Sequence, residues 1–232
     1  LQERAEAMHA GEPAFKRASW WDMFVIVLVA VLVALSINAF LLQVIQVDGT
    51  SMIPTFLDRE RVVSEKITFR VRYPVRGDVV ICRYRKGLTA KGEKLVQEAQ
   101  NAGQSVWAEG PDCFIDGEAV ADKYFEHDRV IKRVMGLPGE TVSIEGGVFY
   151  VNGVAAEESA YWNDVIWQDI SPVQVPEDTV FVVGDNRNGS WDSRDPYIGS
   201  IPMSRVEGRV VCVIWPLTKI GGFAGKVPAY QG

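Results

Sequence analysis

The sequence predicts a mainly β protein, in which an N-terminal transmembrane helix precedes an antiparallel β-sheet or barrel-like domain with a small inserted β subdomain. Three observations predict this fold. One apolar run covers residues 20–42, which is far longer than a strand. After it come short runs rich in valine and isoleucine, separated by turn residues. With 232 residues and 47% hydrophobic content, the chain can form one globular core beyond that helix.

The apolar run from Trp20 to Leu42 is 23 residues long and has one charge near its start. A helix of this length crosses a bilayer core of ~30 Å, and the paired tryptophans at its start suit the membrane interface. The alternative is a cleavable secretory signal, because Ala34-Leu35-Ser36 offers small residues at a cleavage-like spacing. The run continues past Ser36, which favours a retained anchor. Self-cleavage near Ser36 stays open.

Cations near the apolar run predict its orientation. Lys16 and Arg17 come just before it, whereas the first cation after it is Arg59. Positive residues stay on the cytoplasmic side of a membrane. We therefore expect a single-pass protein of the cell membrane, in contact with lipid, with residues 1–19 as a cytoplasmic tail and residues 43–232 as an extracytoplasmic domain.

The strands of that domain are predicted from its apolar runs and the turn residues between them. Asn152-Gly153 marks the tip of a hairpin. Residues 85–125 break the strand rhythm and are predicted to form a surface insertion with one helix at 90–102. A small β subdomain is expected at about 145–180. The predicted strands are 44–48, 60–64, 78–84, 129–135, 141–144, 148–151, 179–183 and 206–214.

Charge and cysteine content argue against several functional classes. The formal net charge is -6 without a cationic cluster, so nucleic acid is not expected as a partner. The three cysteines, Cys82, Cys113 and Cys212, are too few and too widely spaced for a disulfide framework, and Cys82 and Cys212 are expected to be packing residues in valine-rich runs. The only histidines, His9 and His127, are expected on opposite sides of the membrane, so no metal site is predicted.

A serine in a predicted tight turn is the first candidate for chemistry. Gly49 and Thr50 precede Ser51, and Pro54 follows it. A hydroxyl on an exposed turn can attack a carbonyl group, and the backbone N–H of Ser51 can stabilise the resulting oxyanion. Taken alone, the turn is better explained as a solvated loop.

Lys132 is a candidate base for that serine. It lies in an apolar run, and strand alternation places Val130 and Val134 on its own face. Burial penalises the charged amine and lowers its pKa from the ordinary ~10.4, so that a neutral amine becomes available to accept a proton. The alternative is a lysine that reaches solvent from a strand edge. A polar loop at residues 184–195 can supply hydrogen bonds that orient the amine, or it is simply a solvated hairpin loop.

Four ordered segments resemble those of bacterial type I signal peptidases, the membrane-bound Ser/Lys endopeptidases that remove signal peptides. The resemblance covers the span and most of the domain. It implies cleavage of signal-peptide-bearing preproteins after small-x-small, Ala-x-Ala-like sites, without a cofactor and without an obligate oligomer. The matching segments are 49–55 (GTSMIPT), 76–80 (RGDVV), 131–140 (IKRVMGLPGE) and 184–194 (GDNRNGSWDSR).

The same resemblance implies a role for each site residue. Ser51 would be the acylating nucleophile, Lys132 the general base, and Ser190 the residue that orients the lysine. Thr50 would assist the oxyanion, because Gly49 stands where some family members carry a serine. Asp185, Asp192 and Arg194 would support the site, and Ile45, Val47 and Ile131 would line shallow pockets for small side chains. Simple alternation places Ile131 on the face opposite to Lys132.

Several alternatives remain at this point. A repressor-type autoprotease would need a DNA-binding domain, and a sortase would need a reactive cysteine with histidine and arginine partners. A membrane-tethered binding module would need neither Ser51 nor Lys132. The apolar side chains of Met52, Ile53 and Phe56 are expected either to enter the membrane surface or to pack in the core.

Overall fold

The computed structural model describes residues 19–158, 161–162 and 164–222, apart from the side chains of residues 34 and 36–40. The chain divides into two compact units, Leu1–Phe40 and Leu41–Gly232. The tail expected at 1–19 lies almost wholly outside the described residues, as does the side chain of Ser36.

The first unit contains a single described helix, α1, at Trp20–Phe40. The N–H of Ser19 donates to Asp22 at 2.8 Å and the Ser19 hydroxyl accepts from the N–H of Trp21 at 3.4 Å, which caps the first turn. Large apolar side chains along α1 are exposed, from 45% at Leu28 to 67% at Trp20. Among the described residues, no helix combines the length and the apolar character that crossing a membrane requires.

The second unit is built from antiparallel strands, as expected for a mainly β protein. Its short helices are α2 at Thr68–Val71 and α3 at Ala90–Asn101. The strands in chain order are β1 (Leu42–Gln46), β2 (Arg61–Glu65), β3 (Val79–Leu88), β4 (Val106–Glu109), β5 (Asp112–Ile115), β6 (Glu118–Ala119), β7 (Phe125–Gly136), β8 (Thr141–Glu145), β9 (Val148–Val151), β10 (Val154–Ala155), β11 (Ile170–Gln174), β12 (Thr179–Val183), β13 (Ile201–Pro202), β14 (Val206–Trp215) and β15 (Gly221–Gly222).

The main sheet has the order β1-β2-β14-β3-β7-β12-β13, with β15 beside β14. It is open, because β1 and β13 end the path without pairing to each other in the described part of the chain, so the barrel-like expectation was wrong. A second sheet has the order β10-β9-β8-β11, and a third sheet, β4-β5-β6, lies with α3 in the expected insertion.

All eight strands predicted from apolar runs are confirmed, although β3 and β7 are longer than expected. These two strands stay paired into polar sequence, as far as Leu88 opposite Phe125. Ion pairs stabilise this extension, because the buried Arg85 contacts Asp112 and, at 3.1 Å, Asp122. The hairpin predicted at Asn152-Gly153 is confirmed, because β9 and β10 pair across it. The strands that the sequence did not predict are β4, β5, β6, β11, β13 and β15.

Two apolar clusters pack on opposite faces of β3 and β7. Val80, Cys82 and Val134 belong to one cluster, on the face of Lys132. Met52 and Phe56 belong to the other, where they are 1% and 0% exposed. The possibility that these two side chains enter the membrane was therefore wrong, because they are core residues. Ile53, the third residue of that group, is half-buried.

The cysteines differ in burial. Cys82 and Cys113 are buried, and Cys212 is half-buried.

Candidate active site

The turn that carries Ser51 is held by hydrogen bonds from both sides. The N–H of Gly49 donates to Asp58 at 2.8 Å, and the N–H of Ile53 donates to the carbonyl of Thr50 at 3.2 Å. Gly49 has φ +92, a conformation that strains any residue with a Cβ, so this position of the turn favours glycine. Thr50 is exposed and Ser51 is half-buried, so both can meet a substrate.

The polar loop at 184–195 contacts this turn directly. The backbone N–H of Asn186 donates to the carbonyl of Ser51 at 3.0 Å, and its side-chain amide donates to the carbonyl of Thr50 at 3.2 Å. A Cβ placed on Gly184 would lie 2.4 Å from the carbonyl oxygen of Ser51 and 2.2 Å from Oγ of Ser190. The absent side chain at Gly184 therefore allows Ser190 to approach the nucleophile turn.

Lys132 extends into this region from β7. It is 3% exposed, and the register of β3 and β7 sets it opposite Val80. Its Nζ donates to Oγ of Ser190 at 3.0 Å. Burial is the largest influence on its pKa and lowers it; the carboxylate of Asp192 opposes that shift, and the nearby Arg194 reinforces it. A buried lysine with a lowered pKa is suited to accept a proton.

Ser190 lies close to both Lys132 and the Ser51 turn. Its hydroxyl accepts the hydrogen bond from the Lys132 amine. The Ser190 hydroxyl and the Ser51 carbonyl both lie within 2.4 Å of the place that a Cβ of Gly184 would occupy. The turn, the lysine and the loop thus meet at one place.

Asp192 and Arg194 form a buried pair behind Ser190. Nε of Arg194 donates to Asp192 at 2.8 Å, and Nη2 of Arg194 donates to the carbonyl of Ser190 at 3.2 Å. Asp192 also accepts the N–H of Gly184 at 2.9 Å. Burial alone raises the pKa of Asp192, but hydrogen bonds from Arg194, Gly184 and Ser190 and the charge of Arg194 outweigh it, and the pKa is lowered. This ionised carboxylate fixes both ends of the loop segment that holds Ser190.

Asp185 forms the second buried pair, with Arg133. Both side chains are 0% exposed, and two nitrogens of Arg133 donate to the carboxylate at 2.7 and 2.6 Å. The hydroxyl of Thr55 also donates to Asp185 at 2.5 Å. Because Arg133 follows Lys132 in β7, this pair connects the lysine strand, the nucleophile turn and the loop.

The sequence analysis missed a third buried pair beside these two. Arg187 contacts Glu158, and the ring of Tyr161 lies between two guanidinium groups, 4.0 Å from that of Arg133 and 5.5 Å from that of Arg187. The position of Arg187 in a polar loop next to Asp185 was a usable signal. Nothing in the sequence around Glu158 indicated that it would face this loop.

The three expected pocket residues lie together, on the opposite face of β7 from Lys132. Val47 and Ile131 are buried in one apolar cluster, and Ile45 packs against it half-buried. Ile45 lies in β1, the strand that ends the sheet path. The cluster is thus next to an edge strand that leads into the Ser51 turn.

Comparisons with known proteins show the family to which this chain belongs. The family model for "Signal peptidase, peptidase S26" matches residues 20–215. A probable signal peptidase I-2 from Synechocystis sp. is 31% identical over 203 residues, which cover 88% of this chain and 77% of that relative. The signal peptidase I of Bacillus licheniformis is 31% identical over 214 residues, covering 88% of this chain and 94% of the relative. The chain therefore belongs to the signal peptidase family, peptidase S26, as a serine peptidase of the type I signal peptidase class.

Proposed function

We propose that this chain removes signal peptides by a Ser/Lys mechanism, with Ser51 as the nucleophile and Lys132 as the general base. The observation that carries this proposal is the buried Lys132 amine, oriented by a hydroxyl of the same loop that binds the Ser51 turn. Removal of signal peptides by a serine peptidase follows from the family. The proposal adds the chemical step and the residues that perform it.

In the first half of the reaction, Lys132 accepts the proton of the Ser51 hydroxyl while Oγ attacks the scissile carbonyl. This step needs Oγ to rotate into hydrogen-bond reach of Nζ when the substrate binds. The N–H of Ser51 and the side chain of Thr50 stabilise the oxyanion. When the tetrahedral intermediate collapses, the C–N bond breaks and protonated Lys132 gives its proton to the leaving amine.

In the second half, neutral Lys132 takes a proton from water, and the hydroxide attacks the Ser51 ester. Collapse breaks the ester bond, protonated Lys132 returns its proton to Oγ of Ser51, and the signal peptide leaves as a carboxylic acid that gives its proton to water. No cofactor takes part. Ser190 keeps Nζ in place throughout, and its own position depends on Asp192 and Arg194.

Selection of small residues is proposed to follow from the edge strand. Because β1 ends the sheet path, an extended substrate can pair with its outer side and present alternate side chains to pockets. Ile45, Val47 and Ile131 already fill much of the adjacent apolar cluster. Small-x-small sequences before the cleaved bond are the ones that such limited space accepts.

We further propose that residues 20–42 anchor the chain as a single membrane span, with residues 1–19 cytoplasmic and the peptidase unit outside. The apolar sequence, with one charge near its start, and the cations that precede it support this topology. In sequence, Ser51 follows the run by only nine residues. Tethering of enzyme and substrate to one membrane raises their effective concentration.

The test compares cleavage of a signal-peptide-bearing preprotein in liposomes by the wild type, Ser51→Ala and Lys132→Met. Both variants should lose activity, by about 10²–10⁴-fold for the base. The matched controls are Ser204→Ala and Lys91→Met, which change exposed residues and should cleave normally. Normal cleavage by a folded Ser51→Ala or Lys132→Met variant would remove that residue from the mechanism.

A further inference from the structure

A cavity of about 220 Å³ adjoins the residue that orients Lys132. Its wall includes Ser190 itself, together with the indole rings of Trp167 and Trp191. The volume exceeds the ~150 Å³ of a cavity known to hold benzene. The space therefore fits one aromatic side chain.

The indole ring of Trp191 and the backbone of Trp167 are held by hydrogen bonds, although both side chains are exposed. Nε1 of Trp191 donates to Asp195 at 2.8 Å, and the indole stacks on the ring of Tyr197 with an interplanar angle of 12°. The backbone N–H of Trp167 donates to the side chain of Asn188 at 3.0 Å. The exposed fractions are 45% for Trp191 and 78% for Trp167. Core packing therefore does not account for these two rings.

The charged residues of the wall all have partners, and the carboxylate of Asp195 accepts the Nε1–H of Trp191 and the backbone N–H of Tyr197, each at 2.8 Å. Arg194 pairs with Asp192, and Arg187 pairs with Glu158. What remains for a ligand is indole surface with a rim of amide groups from Gln168 and Asn188. Such a surface favours an apolar or aromatic group over a charged one.

The reaction path leads the leaving group to this cavity. Lys132 must protonate the amine of the first residue after the cleaved bond, so that nitrogen has to come within hydrogen-bond reach of Nζ. Nζ lies 3.0 Å from Oγ of Ser190, and Ser190 lines the cavity. An extended chain advances ~3.3 Å per residue, so a chain that leaves Nζ past Ser190 can place one of the first two residues after the cleaved bond at the cavity.

We propose that Trp167 and Trp191 form a binding subsite for a large apolar or aromatic side chain at one of the first two positions after the cleaved bond. This inference rests on the proposed function and deepens it. It assigns to this chain a preference for the start of the released protein, beyond its preference for small residues before the cut.

The test measures kcat/KM on preproteins that carry either phenylalanine or alanine at each of these two positions. For the wild type, phenylalanine at one position should be preferred by about tenfold, equivalent to ~1.4 kcal/mol. In Trp167→Ala and Trp191→Ala the ratio should fall to about one. Trp107→Ala is the matched control, because Trp107 is 44% exposed and stacks on Phe114 in the insertion; it should keep the wild-type ratio. A wild-type ratio of one at both positions, or an unchanged ratio in both variants, overturns the proposal.

A binding measurement separates this inference from the proposed function. If the wild type cleaves no substrate, the proposed function fails, and binding of a phenylalanine-containing peptide amide, followed by tryptophan fluorescence, decides the subsite. Binding that is weakened about tenfold in Trp191→Ala but not in Trp107→Ala supports the subsite. Equal binding by all three proteins contradicts it.

Discussion

Lys132 is an ionisable residue that lies among buried apolar side chains. This environment has two opposite consequences. Burial lowers its pKa, which provides a base, but the same burial makes protonation of the folded protein costly. In the unfolded chain the amine has its ordinary pKa of 10.5. Both activity and stability therefore depend on pH through this one group.

The rate should rise with pH through the lowered pKa of Lys132, because only the neutral amine accepts a proton. We expect kcat/KM to reach its plateau at a pH below 10.5, which is the ordinary pKa of a lysine. The profile is measured from initial rates on a preprotein at constant ionic strength. A profile that keeps rising to the ordinary lysine pKa would contradict the assignment of the buried amine as the base.

Stability should depend on pH in a related way. The relevant pH window lies between the lowered pKa of Lys132 in the folded protein and its pKa of 10.5 in the unfolded chain. In this window the unfolded state binds more protons than the folded state, so the free energy of unfolding of the wild type rises with pH. Lys132→Met removes this pH dependence. The gain in the free energy of unfolding of this variant over the wild type should therefore shrink as pH rises. Denaturant unfolding at several pH values measures this difference. A growing advantage of the methionine variant would refute the expected sign.

Asp185→Asn should destabilise the protein strongly. It removes the negative charge of the carboxylate that pairs with the guanidinium of Arg133, in a place where both side chains are 0% exposed. Breaking one side of a buried ion pair costs about 3–5 kcal/mol in the free energy of unfolding. Glu98→Gln is the matched control, because it breaks an exposed pair with Lys94 and should change that energy by at most about 0.5 kcal/mol. Equal effects of the two substitutions in denaturant unfolding would show that the buried pair contributes little.

At the scale of elements, the site depends on a close approach between the Ser51 turn and the loop that follows β12. Gly184→Ala should disrupt it, since the new Cβ would lie 2.4 Å from the carbonyl oxygen of Ser51. Overpacking of this kind costs about 1–3 kcal/mol, and we expect kcat/KM to fall by more than about tenfold.

Gly87→Ala is the control for that substitution, because a Cβ there meets nothing within 4 Å. Kinetics and thermal unfolding of the two variants are compared. Full activity of Gly184→Ala would mean that the approach of Ser190 to the turn is not needed for catalysis.

At the scale of the whole molecule, the division after Phe40 separates α1 from the sheets. We expect residues 41–232 to fold without the first unit, because the described ion pairs and apolar clusters of the site lie within that range. This shortened chain should cleave a short soluble peptide as fast as the full chain does. It should be slower on a preprotein embedded in liposomes, since the enzyme is no longer tethered to the membrane that holds its substrate. Equal rates on the embedded preprotein would argue against an anchoring role for residues 20–42.

Much of the fold was predictable because local sequence patterns determine where its strands and helices form. Apolar runs located eight strands, and the polar stretch 90–102 was correctly predicted as a helix, which ends at Asn101. The strands of the insertion escaped because they are two to four residues long and lack alternation. The open edge of the main sheet was also missed, since closure depends on how strands far apart in sequence meet.

For the site, the sequence by itself determined the chemical types: a serine in a tight turn, a lysine among valines, and a polar loop after an apolar strand. Only the tertiary structure decided which groups meet, namely Lys132 with Ser190, Asp185 with Arg133, and Glu158 with Arg187. The physical reason is that a residue's type and spacing fix its local conformation, whereas burial and ion pairing depend on segments that are distant in the chain. The lowered pKa of Lys132 belongs to this second class, because neighbours from other elements exclude water from its amine.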